Sequence, residues 1–164
     1  MSATSPKTPD LKGLTPEIRN VAIQAGTLIL GIYRSEFEVR EKSDASPVTE
    51  ADEAAERLII PALRALTPNI PIIAEEAAAA GELDTISGDY FWLVDPLDGT
   101  KEFIARRDEF TVNIALIERG RPVLGVVHAP ALGKTYYGTE PGTAMAEIDG
   151  KPAHPISARH IPED

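Results

Sequence analysis

Phe91-Trp92-Leu93-Val94-Asp95-Pro96-Leu97-Asp98-Gly99-Thr100-Lys101-Glu102-Phe103 is the stretch from which the rest of the chain is read. An apolar strand, Tyr90 to Val94, ends abruptly in a carboxylate. Pro96 fixes a turn, a second carboxylate follows at i+3, and Gly99 permits a tight backbone. Two carboxylates converging on one point repel unless a cation sits between them, and hard cations such as Mg²⁺ take carboxylate and carbonyl oxygens. Asp95, the Leu97 carbonyl and Asp98 supply three such ligands from four residues. A helix starting at Gly99 and Thr100 would aim free N–H groups at the same point, a seat for phosphate. Taken alone, the Asp-x-x-Asp-Gly spacing is commoner as an ordinary turn with an Asx cap.

Upstream, Ile70 to Ala74 reads as a short apolar strand leading into Glu75-Glu76. In isolation that pair is the solvated start of an acidic loop. If the two strands are neighbours in one sheet, Glu75 completes a site with Asp95 and Asp98. The run Ala77 to Asp89 reads as a flexible surface loop. A helix opens at Thr49, with Ala51, Ala54, Ala55, Leu58, Ile59, Ala62, Leu63 and Leu66 on its buried face and a kink expected at Pro61. Asp52, three residues after Thr49, matches a capping box. Alternatively it accepts a hydrogen bond from Thr100, whose hydroxyl then orients an attacking water.

An earlier helix starts with Thr15 as N-cap and Pro16 at its first position. Ile18, Val21, Ala22, Ala25, Leu28, Ile29 and Ile32 form its apolar stripe. Residues 1–14 read as a flexible N-terminal tail, Phe37 to Arg40 as a short strand, and Glu41 to Pro47 as a loop. Downstream, Phe110 to Ile117 and Val123 to Val127 flank the hairpin signal Glu118-Arg119-Gly120-Arg121-Pro122. Lys134 to Tyr137 and Ala144 to Ile148 are further strand candidates. Two helices followed by a strand-rich half predict an α+β domain over 15–150, two helices layered on a mostly antiparallel sheet, with an irregular tail over 151–164.

The chain has 164 residues, 43% hydrophobic and 26% charged, enough for one domain with a real core. Its net charge of −10 repels nucleic-acid backbones and anionic membranes, so neither is an expected partner. A small phosphorylated substrate stays compatible, because a bound cation reverses the local field. The absence of cysteine excludes disulfides, thiol catalysis and cysteine-ligated zinc. No apolar signal core or transmembrane segment is apparent, and a soluble cytoplasmic protein is expected. His128, His154 and His160 are dispersed and read as structural or surface residues. Lys101, Arg106 and Arg107 follow the acidic turn, where they could meet an anionic substrate or form exposed salt bridges.

Asp95-Pro96-Leu97-Asp98-Gly99-Thr100 with Phe103 resembles the signature of the inositol monophosphatase superfamily. Ser46-Pro47-Val48-Thr49-Glu50-Ala51-Asp52, Glu75-Glu76 and Phe110-Thr111-Val112-Asn113-Ile114-Ala115-Leu116 fit the same pattern. Leu97, the Lys101-Glu102-Phe103 continuation and Gly125-Val126-Val127-His128-Ala129-Pro130 are most similar to its 3′(2′),5′-bisphosphate nucleotidase branch, the bacterial CysQ type. The resemblance implies a sugar-phosphatase N-terminal domain in which Glu75, Asp95, the Leu97 carbonyl and Asp98 bind Mg²⁺. It also implies that Glu75, Leu97, Asp98, Gly99 and Thr100 face the substrate phosphate and that Asp52 with Thr100 activates water. The implied reaction removes the 3′-phosphate of adenosine 3′,5′-bisphosphate, a step of sulfate assimilation that is lithium-sensitive across the family. Alternatives are an inositol monophosphatase or related sugar phosphatase, and a non-catalytic remnant that binds metal or a partner. Family members continue into a second α/β domain with a Trp-Asp motif, whose Asp is a further metal ligand. Trp92 is the only Trp and precedes Asp95, so that ligand is expected to be missing, the chain to be a truncated part, and its activity alone to be weak or nil.

Overall fold

The computed structural model describes residues 8–41, 47–82, 84–86 and 88–159. The first seven residues of the expected tail, most of the expected loop after Glu41 (including Ser46), two positions of the Ala77–Asp89 run, and His160 with the four residues after it lie outside the described residues.

Helix α1 spans Leu11–Tyr33 and begins earlier than its sequence indicates. Asp10, not Thr15, is the N-cap, its Oδ1 accepting from the Gly13 N–H at 3.1 Å. Pro16 therefore lies inside the helix, where it forfeits one backbone bond near the start and leaves the rest of the ladder intact. Residues 11–14 are accordingly helix rather than tail. Strands β1 (Val39–Glu41) and β2 (Pro47–Thr49) form a small antiparallel pair, the second of which had no clear sequence signal. Thr49 then caps helix α2 (Glu50–Leu66), which continues through Pro61. Its buried face differs from the expected apolar stripe: Ala51, Ala55, Ile59 and Leu63 are joined by Asp52 and Glu56, while Ala54, Leu58, Ala62 and Leu66 are half-buried.

Strand β3 (Ile72–Ala74) leads directly into a short helix α3 (Glu75–Ala79), so the start of the expected loop is helical. Strand β4 (Tyr90–Asp98) runs through Pro96 instead of turning at Asp95. After helix α4 (Thr100–Ile104) come β5 (Thr111–Glu118), β6 (Arg121–Ala129), β7 (Lys134–Gly138), β8 (Met145–Ile148) and β9 (His154–Pro155). The last corrects the reading of 151–164 as wholly irregular. The sheet order is β3-β4-β5-β6-β7-β8-β9, with β3 and β4 parallel and every other neighbour antiparallel. The expected α+β class, helices on a mostly antiparallel sheet, is the observed one.

The hairpin between β5 and β6 turns in two residues, Arg119 and Gly120, at φ 48° and 80°. Two left-handed residues match the twist of the flanking strands, which is why glycine stands there. Helices α1 and α2 cover one face of the sheet, burying Ile18, Ile29, Ile59 and Leu63 against Trp92, Ile114, Leu116 and Leu124. Each such side chain contributes about 1.5–3 kcal/mol. Trp92 Nε1 donates to Thr67 Oγ1 at 2.8 Å, so its one polar atom is satisfied. Phe103 packs at the end of the core in an aromatic cluster with Tyr33, Phe37 and Phe110. On the opposite face Leu93 and Val127 are 47% and 40% exposed.

Two glycines of α1 test this packing in opposite directions. A methyl group on Gly26 would lie 2.4 Å from His128 Cδ2 and 3.0 Å from Pro130 Cβ. The His128 ring is buried and held through Nδ1 to Thr135 Oγ1 at 2.9 Å, so it cannot easily yield. Overpacking of about 1–3 kcal/mol exceeds the helix gain of about 1 kcal/mol from Gly to Ala. Gly26→Ala is expected to lower the urea midpoint. Gly31→Ala, with nothing within 4 Å, is expected to raise it.

Candidate active site

Glu75 and Asp95 meet because β3 and β4 run parallel. Ala74 pairs with Val94, so the next residue of each strand emerges at the same sheet end. Asp98 joins them through an irregularity. Side chains alternate faces along a strand, so acids three residues apart point to opposite sides. Between Asp95 and Asp98, however, the register slips: Asp95 pairs with Asn113, and Asp98 pairs with Thr111. Three steps on β4 oppose two on β5, a bulge that returns Asp98 to the face of Asp95. Asn113 Nδ2 donates to Asp98 Oδ2 at 3.2 Å on that face, and Asp95 Oδ1 accepts from the Leu97 N–H at 3.2 Å. Leu97 itself is buried in the core.

The turn that follows depends on Gly99, at φ 92°. A Cβ there would lie 2.8 Å from the Glu109 carbonyl oxygen, which leaves room for no other residue. Thr100 opens α4, and its hydroxyl lies 3.1 Å from Asp52 Oδ1 and 3.2 Å from the Leu97 carbonyl. Asp52 is 1% exposed, and its Oδ2 accepts from the Thr49 N–H at 2.8 Å and the Thr49 hydroxyl at 2.6 Å. The two sequence readings of Asp52, capping box and partner of Thr100, are thus both present, one on each oxygen.

The basic residues after the turn divide. Arg106 lies over the rings of Tyr33 and Phe37, 5.3 and 4.5 Å from their centroids, and donates to the Ser35 carbonyl. Lys101 and Arg107 are exposed. Two polar residues of this corner escaped sequence reasoning. Asn113 has a buried Oδ1 with no hydrogen-bond partner among the described residues. Glu56, 7% exposed, accepts from the Glu76 and Ala77 N–H groups at 2.8 Å each. The only signal for Glu56 was its place one helical turn after Asp52.

The inositol monophosphatase family model matches residues 10–162. A 3′(2′),5′-bisphosphate nucleotidase CysQ of Salmonella typhimurium is 52% identical over 136 residues, 82% of this chain and 54% of that protein. The crystal structure of CysQ from Bacteroides thetaiotaomicron superposes with a TM-score of 0.66 at 34% identity, over 85% of this chain and 50% of that one. An inositol monophosphatase from Zymomonas mobilis gives a TM-score of 0.73 at 28% identity, over 94% of this chain and 56% of that one. The chain spans about half the length of the curated relatives it matches. Among the described residues, no helix is long and apolar enough to cross a membrane.

The electrostatics of the corner show what it can hold. Asp95 is half-buried between two exposed acids, and its pKa is raised from 3.8 to about 7. Burial is the largest cause, followed by the charge of Glu75, a hydrogen bond shared with Glu75, and the charge of Asp98. Burial likewise raises the pKa of Asp52, against the hydrogen bonds from Thr49 and Thr100. Among the described residues no three acidic or histidine side chains already converge on one point at metal-holding distance. Glu75 and Asp98 each press on Asp95 without closing a cage. The donors nevertheless fit a hard divalent cation, being three carboxylates, a carbonyl and the unpartnered Asn113 oxygen, with no soft ligand among them.

A carboxylate whose pKa is raised by folding binds its proton more tightly in the folded state, so its stabilising contribution fades as pH rises through the folded value. The metal-free chain is therefore expected to lose stability between about pH 4 and 7 as Asp95 ionises. Asp95→Asn should flatten that slope in urea unfolding followed across the same range. An unchanged slope would show that Asp95 is not the group responsible.

Proposed function

The chain belongs to the inositol monophosphatase family, and from that premise we propose that it is a Mg²⁺-dependent phosphomonoesterase removing the 3′-phosphate of adenosine 3′,5′-bisphosphate. The observation that carries the reading is the bulged β4 corner, with Asp95 and Asp98 on one face, Glu75 beside them and Thr100 hydrogen-bonded to Asp52. The branch assignment follows sequence rather than fold. Identity to the Salmonella CysQ nucleotidase is 52%, whereas the fold superposes about equally well on a CysQ and on an inositol monophosphatase. The water loses a proton as it attacks phosphorus, the P–O3′ bond breaks, the ribose 3′-oxygen gains a proton, and AMP and phosphate leave. The cytoplasm is the compartment this reading implies.

In this reading Glu75, Asp95, the Leu97 carbonyl and Asp98 hold the cation, and Leu97, Asp98, Gly99, Thr100 and Glu75 border the phosphate. Bound Mg²⁺ supplies charge neutralisation of the phosphate and a lowered pKa for the attacking water. Neutralisation matters in a chain of net charge −10. Thr100 has one proton, and both its near neighbours, Asp52 Oδ1 and the Leu97 carbonyl, are acceptors. That proton goes to one of them, which leaves a lone pair of the hydroxyl oxygen to accept from and orient a water. Asp52 is the fixed anchor of that hydroxyl, since Thr49 locks its other oxygen.

The chain assayed with adenosine 3′,5′-bisphosphate and with inositol 1-phosphate, with and without Mg²⁺, is expected to show at most weak turnover, of the nucleotide in preference to the inositol phosphate and only with the metal. Equal turnover of the two substrates would remove the branch assignment. Mg²⁺ binding by a folded chain with no turnover of either would favour a non-catalytic metal-binding role. Asp95→Asn is expected to abolish both Mg²⁺ binding and hydrolysis, and calorimetry showing unchanged affinity would refute the ligand assignment.

A further inference from the structure

We propose that Glu56 is a positioning residue that fixes Glu75 beside Asp95, working through the backbone of the β3–α3 junction. The link to metal binding rests on the reading of this corner given above; the positioning itself does not. Glu56 is almost wholly buried, an unfavourable place for a carboxylate unless it is well hydrogen-bonded. Each of its oxygens takes one N–H, from the consecutive residues Glu76 and Ala77, both at 2.8 Å. These amides begin α3, where intrahelical partners are lacking, and the residue at the cap position, Ala74, has no side chain that could serve them. Glu56 performs the capping from another helix, twenty residues earlier in the chain.

The consequence falls on Glu75, the residue immediately before the two clamped amides. Its carboxyl group shares a hydrogen bond with Asp95. Fixing the backbone just after Glu75 sets where that side chain leaves the β3–α3 junction. Asp52 and Glu56 lie one turn apart on the same face of α2. Asp52 reaches the β4–α4 side of the corner through Thr100, and Glu56 reaches the β3–α3 side. One rigid helix thereby spaces the two halves of the corner, the way outer carboxylates commonly hold metal ligands in place.

The chain has no cysteine, so a Glu75→Cys/Asp95→Cys pair reports their proximity without metal or activity. Disulfide formation under mild oxidation is expected to slow on the order of tenfold when Glu56→Ala is added, and less with Glu56→Gln, which keeps one acceptor oxygen. In the chain with native Glu75 and Asp95, Glu56→Ala should weaken Mg²⁺ binding by about tenfold or more. Unchanged amide exchange in β5 verifies folding; if the Ala variant does not fold, the Gln variant carries the comparison. An unchanged cross-linking rate overturns the proposal whatever the metal does. Slower cross-linking with unchanged Mg²⁺ affinity overturns the connection between the placement of Glu75 and the metal. Slower cross-linking in a chain whose native form binds no Mg²⁺ supports the positioning role and removes the metal reading instead.

Discussion

Side chains on a β-strand alternate between its two faces, and this constraint governs the acidic corner. Asp95 and Asp98 are three positions apart, so a regular strand would send one toward the helices and the other to solvent. The register slip against β5 adds one residue to β4 and brings both to the face of Asn113. Pro96, which cannot donate to a ladder, falls within this irregular segment. Glu75 then arrives by a separate route, the parallel pairing of β3 with β4. Without the bulge, the pairing would deliver a single pair of acids and leave Asp98 elsewhere.

Much of this was legible in the sequence because its causes are local. The Thr49–Asp52 spacing announces a cap, and Asp95, Asp98 and Gly99 announce an acidic turn. Features with distant causes were hidden. Thr15-Pro16 carries a strong start signal, but Asp10 supplied a cap one turn earlier and the helix extended to it. Strand β9 is two residues long and exists only as a partner of β8, so no pattern within it could announce it. Glu56 is charged and lies outside the expected apolar stripe, yet it is buried; its partners are backbone amides, which leave no trace in side-chain sequence. The bulge was equally silent, since the slip appears only against β5.

Charge is distributed unevenly for a reason that the packing supplies. Glu56 and Asp52 are sealed beneath the corner, each satisfied by N–H or O–H donors. Glu75 and Asp98 are exposed, and Asp95 lies between the two environments. The buried pair shapes the corner while the outer three present charge. Asp95, at the boundary, has its pKa pushed up to about 7 by burial and by its acidic neighbours.

The two ends of the main sheet have a bearing on how such molecules behave in a crowded solution. Strand β3 at one edge is three residues long and β9 at the other is two. An edge strand that short offers few unpaired amide and carbonyl groups of its own. The long apolar strands β4, β5 and β6 are all interior to the order. Among the described residues, short edge strands and a net charge of −10 for this sequence both act against edge-to-edge pairing.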